Sequence, residues 1–260
     1  MNGLTLGISG SNSKKIKGSL AYTPVIIPKN LLAKIGDENI LVEKFQKCHS
    51  VDEQLSVLKE NLNTSDDTIL NFLVMIFLQS EMKHPVKCFL VRYITKNNNL
   101  QESFSKALAW EILSYISVNN VDCKVYMEII PRIASCVENF PAGGKAIKQI
   151  EVELSEYLTQ CLQCCVDTLR YMKSLSPTEK NEIFNLAHLT LRMLLYIVQK
   201  VTSQNTAKIT ATFSIVRLNI KELLFDEEVP MDTKSVCGIL LITIYNLQEG
   251  SNAWIEVSFA

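Results

Sequence analysis

Residues 145–174 read KAIKQIEVELSEYLTQCLQCCVDTLRYMKS. Apolar side chains fall at Ile147, Ile150, Leu154, Leu158, Cys161, Leu162, Cys165, Leu169 and Met172, mostly three or four residues apart. That spacing paints one face of an α-helix. Lys148, Glu151, Glu153, Glu156 and Gln160 fall on the opposite face. The pattern predicts one helix over about 145–174, set off from what precedes it by a break at Pro141-Ala-Gly-Gly144. Next comes Ser176-Pro177-Thr178-Glu179. A serine in the cap, a proline at the first helical position and a glutamate at the third are a strong start signal for a second helix. That helix should run to about Gln204. It is apolar nearly all round, so it should lie at the centre of the fold.

Working outward, the same period recurs. Towards the C-terminus, helices are expected over about 207–224 and 232–249, separated by Asp226, Glu227, Glu228 and Pro230. The stretch KITATFSIVRLNI in the first of these is β-branched, which weakens the helical reading. Towards the N-terminus, Val51, Leu55, Leu58 and Leu62 form a helical stripe, with Asp52 and Glu53 in its first turn. Thr64, Ser65, Asp66 and Asp67 offer caps for an apolar helix over 67–80. Pro85 permits a new start, with Val86, Phe89, Leu90 and Tyr93 on one face. Asn97 to Asn99 make a turn, and 100–117 carries Phe104, Leu108, Trp110, Ile112 and Tyr115. Asn119, Asn120 and Asp122 cap a helix containing Pro131, where a kink is expected. Pro24, Pro28 and Gly36 make 21–36 an extended lead-in. The chain thus divides into a flexible basic segment over 1–36, a helical array over 37–250 and a tail over 251–260. About ten helices exceed a single bundle. Pairs of roughly 35–45 residues would stack as an all-α solenoid of the HEAT or armadillo kind.

Composition agrees. The 260 residues include only nine glycines and seven prolines, about half the ~12% usual for a globular chain. Such scarcity of turn-makers argues against sandwiches, barrels and glycine-rich phosphate loops. With 26 basic against 27 acidic residues the net charge is −1, which gives no general attraction to nucleic acid or anionic lipid. The longest apolar run, Phe72 to Leu78 extended by Ile69 and Leu70, is about half a bilayer span. The first twenty residues lack the apolar core of a signal peptide. They cluster Lys14, Lys15 and Lys17, a pattern shared by flexible tails, nuclear-import patches and transit peptides; a solvated tail is the expectation. Eight cysteines at apolar, helix-like positions read as reduced, buried thiols in a cytosolic or nuclear protein, with a cytoplasmic location expected.

Candidate chemistry is sparse. Cys161-Leu-Gln-Cys164-Cys165 contains a C-x-x-C, but a zinc site needs a second ligand pair, and core thiols are the expectation. His49, His84 and His188 are far apart in sequence and have no nucleophile in motif context; His84, before Pro85, is expected at the surface. Gly143-Gly144-Lys145 lacks the spacing of a P-loop and reads as a turn between helices. Phe89, Arg92, Tyr93 and Lys96 mix aromatic and basic residues, but at helical spacing the aromatics belong to the core. No catalytic, cofactor-binding or metal-ligating residue is assigned, and the chain is not expected to be an enzyme.

One stretch carries more. Arg132-Ile-Ala-Ser-Cys-Val-Glu-Asn-Phe140, followed by Pro141-Ala-Gly-Gly-Lys145, resembles a segment near the N-terminus of the thyroid adenoma-associated protein family, which includes yeast regulators of tRNA ribose methylation. Ile76-Phe-Leu-Gln-Ser-Glu-Met-Lys-His-Pro-Val-Lys-Cys88 and Asn185 to Val201 look similar and fall in the same order, as does Val236-Cys-Gly-Ile-Leu-Leu-Ile242. The resemblance spans about 45–245. It implies a non-catalytic scaffold of HEAT-like or armadillo-like repeats whose partner is an FtsJ-type 2′-O-ribose methyltransferase acting on the tRNA anticodon loop. Through that complex it implies contact with tRNA. Members of that family are several times longer, so the resemblance also implies an N-terminal portion or short form. A helical-repeat interaction scaffold of unrelated role is the alternative. The apolar last helix, with Trp254, Ile255, Val257 and Phe259 beyond it, predicts an uncovered apolar face and self-association of the isolated chain.

Overall fold

In a computed structural model, the structure describes residues 22–28, 40–62, 67–81, 83–116, 123–137, 141–172, 174–200 and 205–248. Of these, 85% are helical and none lies in a strand, well above the ~30–35% helix of an average domain. Eleven helices occur among the described residues: α1 (Ile40–Gln46), α2 (Val51–Asn61), α3 (Asp67–Gln79), α4 (Pro85–Thr95), α5 (Asn98–Ile116), α6 (Cys123–Val137), α7 (Pro141–Gln149), α8 (Glu151–Tyr171), α9 (Pro177–Lys200), α10 (Thr206–Phe225) and α11 (Met231–Gln248). The all-α class is as the periodicity predicts, including the β-branched α10. The predicted basic segment over 1–20, the caps at 64–66 and 119–122, and the tail over 251–260 lie outside the described residues.

Local chemistry sets the helix starts. Ser176 Oγ accepts from Glu179 N at 3.3 Å, and the Glu179 carboxylate accepts from Ser176 N at 2.8 Å. Two orphan amides are thereby satisfied, as the sequence implies. A second box opens α2, where Ser50 Oγ accepts from Glu53 N at 3.2 Å and the Glu53 carboxylate accepts from His49 N at 2.7 Å. α6 runs from Cys123 to Val137 with Pro131 inside it.

The deciding stretch is two helices rather than one. The backbone leaves helical geometry at Ile150, with φ −123° and ψ 23°. Pro141-Ala-Gly-Gly144 is not a break but the first turn of α7, which suits a proline at the first helical position. Gly144 serves a close approach: a Cβ there would lie 2.9 Å from the Tyr196 hydroxyl on α9. The break also moves Glu151 off the polar face. It is buried and accepts from Asn205 Nδ2 at 2.6 Å. Lys148, Glu153, Glu156 and Gln160 do face solvent. Met172, placed on the apolar stripe by its spacing, is exposed because α8 ends at Tyr171.

Buried apolar side chains form one continuous core from Val25 to Ile244. α9 is central, packing against α6, α7, α8 and α11, while α10 covers α8 and α11. Ahead of them α5 packs on α3, α4, α7 and α8. Every pair of helices in extensive contact lies within three positions of each other along the chain. Residues 22–28 carry no regular secondary structure and bury Val25 and Ile27. Trp110, grouped with the apolar residues of α5, is 75% exposed. The last two helices bury Phe213, Val216, Ile220, Cys237, Leu240 and Ile244, yet leave Ile215, Leu218, Phe225, Met231, Ile242 and Tyr245 exposed. No helix among the described residues is long and apolar enough to cross a membrane.

Candidate functional site

The most unusual group in the fold is a lysine in the core. Lys87 lies on the inward face of α4, between Val86 and Leu90, and is 1% exposed. α3 ends at Gln79, so the Ser80 carbonyl sits at the negative end of a helix and lacks an intrahelical donor. Lys87 Nζ donates to that carbonyl at 3.2 Å and to Ser135 Oγ on α6 at 3.0 Å. Nζ also lies 4.3 Å from the centre of the Phe77 ring, a cation–π contact. Burial holds the Lys87 pKa below its ordinary value. Beside it, burial pushes the Cys136 thiol up to about 12, so that group stays protonated. The arrangement is an ammonium that caps α3 and ties it to α6. Cavities open elsewhere. One of about 410 Å³ lies over α1 and α2, between Lys44, Lys47, Asp52 and Glu53, and one of about 110 Å³ lies between Gly144, Lys148, Glu151, Tyr196 and Lys200.

The cysteines divide by face. Cys161 and Cys165 are fully buried one turn apart on α8, as their spacing predicts, and Cys161 Sγ is 3.3 Å from Thr190 Oγ1. Cys164 turns instead toward α6 and meets Cys123, sulfur to sulfur, at 2.9 Å. Thr168 Oγ1, one turn on, is 3.3 Å from Cys123 Sγ. Cys123 was not singled out by sequence, because 41 residues separate it from its neighbour. All eight cysteines are thiols rather than disulfides. Among the described residues no group of three or more His, Cys, Asp or Glu side chains is placed to hold a metal ion.

The histidines stay apart. His49 is exposed. His84 is buried rather than at the surface, because the lead-in segment covers it. Its Nδ1 accepts from Val86 N at 3.2 Å, which leaves Nε2 to donate to the Thr23 carbonyl at 2.9 Å. His188 Nδ1 is 3.2 Å from Thr233 Oγ1, joining α9 to α11. Lys145, read with the glycine pair, donates to Gln101 Oε1 at 3.1 Å. Phe89 and Tyr93 stack at 6.2 Å, and the Tyr93 hydroxyl donates to the Leu62 carbonyl at 2.6 Å, so these aromatics are half-buried supports. Arg92 and Lys96 beside them face solvent.

No family model, no curated protein and no solved structure matches this chain.

Proposed function

We propose that this chain is a non-catalytic helical-repeat scaffold whose partner is an FtsJ-type tRNA 2′-O-ribose methyltransferase, as its resemblance to the thyroid adenoma-associated protein family implies. The observation that carries the reading is where the resembling stretches sit. Lys87 of the stretch 76–88 bonds to Ser135 of the stretch 132–140. Gly144 admits Tyr196 of the stretch 185–201. Cys237 and Leu240 of the stretch 236–242 are buried in the core, on the helix that packs against α9. Segments scattered over the sequence therefore meet as one packed spine, the arrangement in which a scaffold's shape resides.

The restriction of extensive helix contacts to near neighbours in the chain supports the solenoid form of this reading, since a repeat array touches only adjacent repeats. The six large apolar side chains left exposed on α10 and α11 are available to a partner, whichever one is bound. The same side chains underlie the expected self-association of the isolated chain. The test is a purified two-component experiment with an FtsJ-type methyltransferase and tRNA. The chain is expected to co-elute with the enzyme in size-exclusion light scattering and to transfer no methyl group by itself. Failure to bind overturns the partner, and ribose methylation by the chain alone overturns the scaffold.

A further inference from the structure

Cys123 and Cys164 face each other, sulfur to sulfur, between α6 and α8. Their sulfurs lie 2.9 Å apart, closer than two unreactive thiols ordinarily sit and within reach of bond formation after a small approach. Both are half-buried, whereas Cys161 and Cys165 beside them on α8 are fully buried. The two sulfurs are not equivalent. Cys123 is the first residue of α6, where the helix dipole favours an anion. Three donors face it, the Cys164 S–H first, then the Cys165 S–H, and the Thr168 hydroxyl at 3.3 Å. The Thr168 proton has two places to go, the Cys164 carbonyl at 2.7 Å or the Cys123 sulfur. It can therefore turn to Cys123 when that thiol ionises. These donors hold the Cys123 thiol well below its ordinary pKa, and the same contact raises that of Cys164. A low-pKa, half-buried thiolate with a second thiol against it is the arrangement of a peroxide-reactive cysteine with its resolving partner.

We propose that Cys123 and Cys164 are a redox modification site that takes hydroperoxides as oxidant and closes to a disulfide between α6 and α8. The Cys123 thiolate attacks one peroxide oxygen, the O–O bond breaks, and hydroxide or alkoxide leaves and is protonated, giving a sulfenic acid. Cys164 then attacks the Cys123 sulfur. The S–S bond forms, the S–O bond breaks, and the departing hydroxide takes the Cys164 proton to leave as water. Two thiols lose two electrons and two protons, and one peroxide is reduced to water, or to one alcohol and one water. Any thiol reductant of the dithiol class reverses it. Closure would fasten the start of α6 to the middle of α8, across the surface where α9 also packs.

The experiment uses the full chain treated with stoichiometric hydrogen peroxide at pH 6–7, followed by non-reducing peptide mass spectrometry. The expected product is 2 Da lighter, carries a Cys123–Cys164 linkage and reverts with dithiothreitol. In the Cys164→Ser variant, dimedone is expected to label Cys123. In the untreated wild type, iodoacetamide is expected to alkylate Cys123 about tenfold faster than exposed Cys88 at pH 6. Linkage of Cys123 to Cys165, sulfenic acid at Cys164, or oxidation of Cys88 at an equal rate overturns the proposal. The wild-type linkage and alkylation readings stand even where a variant does not fold.

Discussion

The two ends of this molecule are fastened by different kinds of hydrogen bond. From residue 22 to α4, buried and half-buried polar side chains reach the backbone of irregular segments and helix ends. Gln54 accepts from Val25 N at 2.9 Å and donates to Val25 O at 2.8 Å. His84 takes the Thr23 carbonyl, Tyr93 the Leu62 carbonyl and Lys87 the Ser80 carbonyl. From α8 to α11 the bonds between helices run from side chain to side chain. Examples are Asn219 to Gln163 at 2.8 Å, Arg170 to Glu222, and His188 with Thr233 at 3.2 Å. Helix length is the cause. The helices of 18 to 24 residues in the C-terminal part satisfy their own backbone, so only apolar packing and surface pairs are left to join them. Short helices and an irregular lead-in leave orphan carbonyls and amides that side chains must meet. The C-terminal part should therefore be sensitive to lost volume, and the N-terminal part to lost polarity.

The largest effect tests the first half of that statement. Phe213 is fully buried in α10. Phe213→Ala is expected to lower unfolding free energy by about 4 kcal/mol through lost transfer energy and the cavity left behind. Urea titration followed by circular dichroism measures it. A loss under about 1 kcal/mol would mean that α10 is not part of the cooperative core.

Gln54→Leu tests the second half. It keeps the volume and strands both backbone groups of Val25, each at about 1–3 kcal/mol when buried. A loss of about 3 kcal/mol is expected. Asn219→Leu removes a bond between two side chains, and about 1 kcal/mol is expected. Equal losses in the two variants would break the contrast between the ends.

The same contrast decides what the sequence shows in advance. Helix content is legible because burial of one face imposes a period on the residues themselves, and the Ser176 box is legible because cap and partner lie three residues apart. The break at Ile150 is not legible, since the apolar period runs straight through it, and neither is the close approach of Gly144 to Tyr196, 52 residues away. The candidate sites are hidden for the same reason. Lys87 looks like a surface lysine until the Ser80 carbonyl and Ser135, 48 residues away, are brought to it. Cys123 gains its meaning only from Cys164. Local chemistry is written in local sequence, and pairings across tens of residues are not.

Lys87 gives a smaller and more diagnostic effect. Lys87→Met removes a desolvated cation and keeps an unbranched apolar stem, while leaving the Ser80 carbonyl without its donor. These changes oppose each other, and a net change within about 1 kcal/mol is expected. The pH dependence is sharper. The folded-state pKa lies below the unfolded value near 10.4. Between those two values the unfolded chain binds the proton more readily, so wild-type stability should rise with pH there. In Lys87→Met that rise should vanish. Parallel urea midpoints against pH for the two proteins would show that Lys87 is not desolvated.

The smallest effect belongs to His188, which joins α9 to α11 through Thr233. Burial and the charge of Arg192 hold its pKa below the usual imidazole value, and Asp232 offsets part of that shift. The neutral ring is therefore favoured in the fold relative to the unfolded chain, where the value is near 6.5. Its contribution to stability is fully present above that pH and is lost as pH falls through the lower folded value, where the ring is protonated in both states. The imidazole is partly open to solvent, so the loss should appear as a shallow fall in melting temperature between neutral and mildly acidic pH. His188→Gln keeps a polar contact for Thr233 but does not titrate, so that part of the slope should disappear. Because the pair joins two long helices by side chains alone, the midpoint at pH 8 should barely change. A large drop at pH 8 would show that the C-terminal helices depend on this polar contact as the N-terminal segments depend on theirs, and the distinction between the two ends would fail where it is most exposed to test.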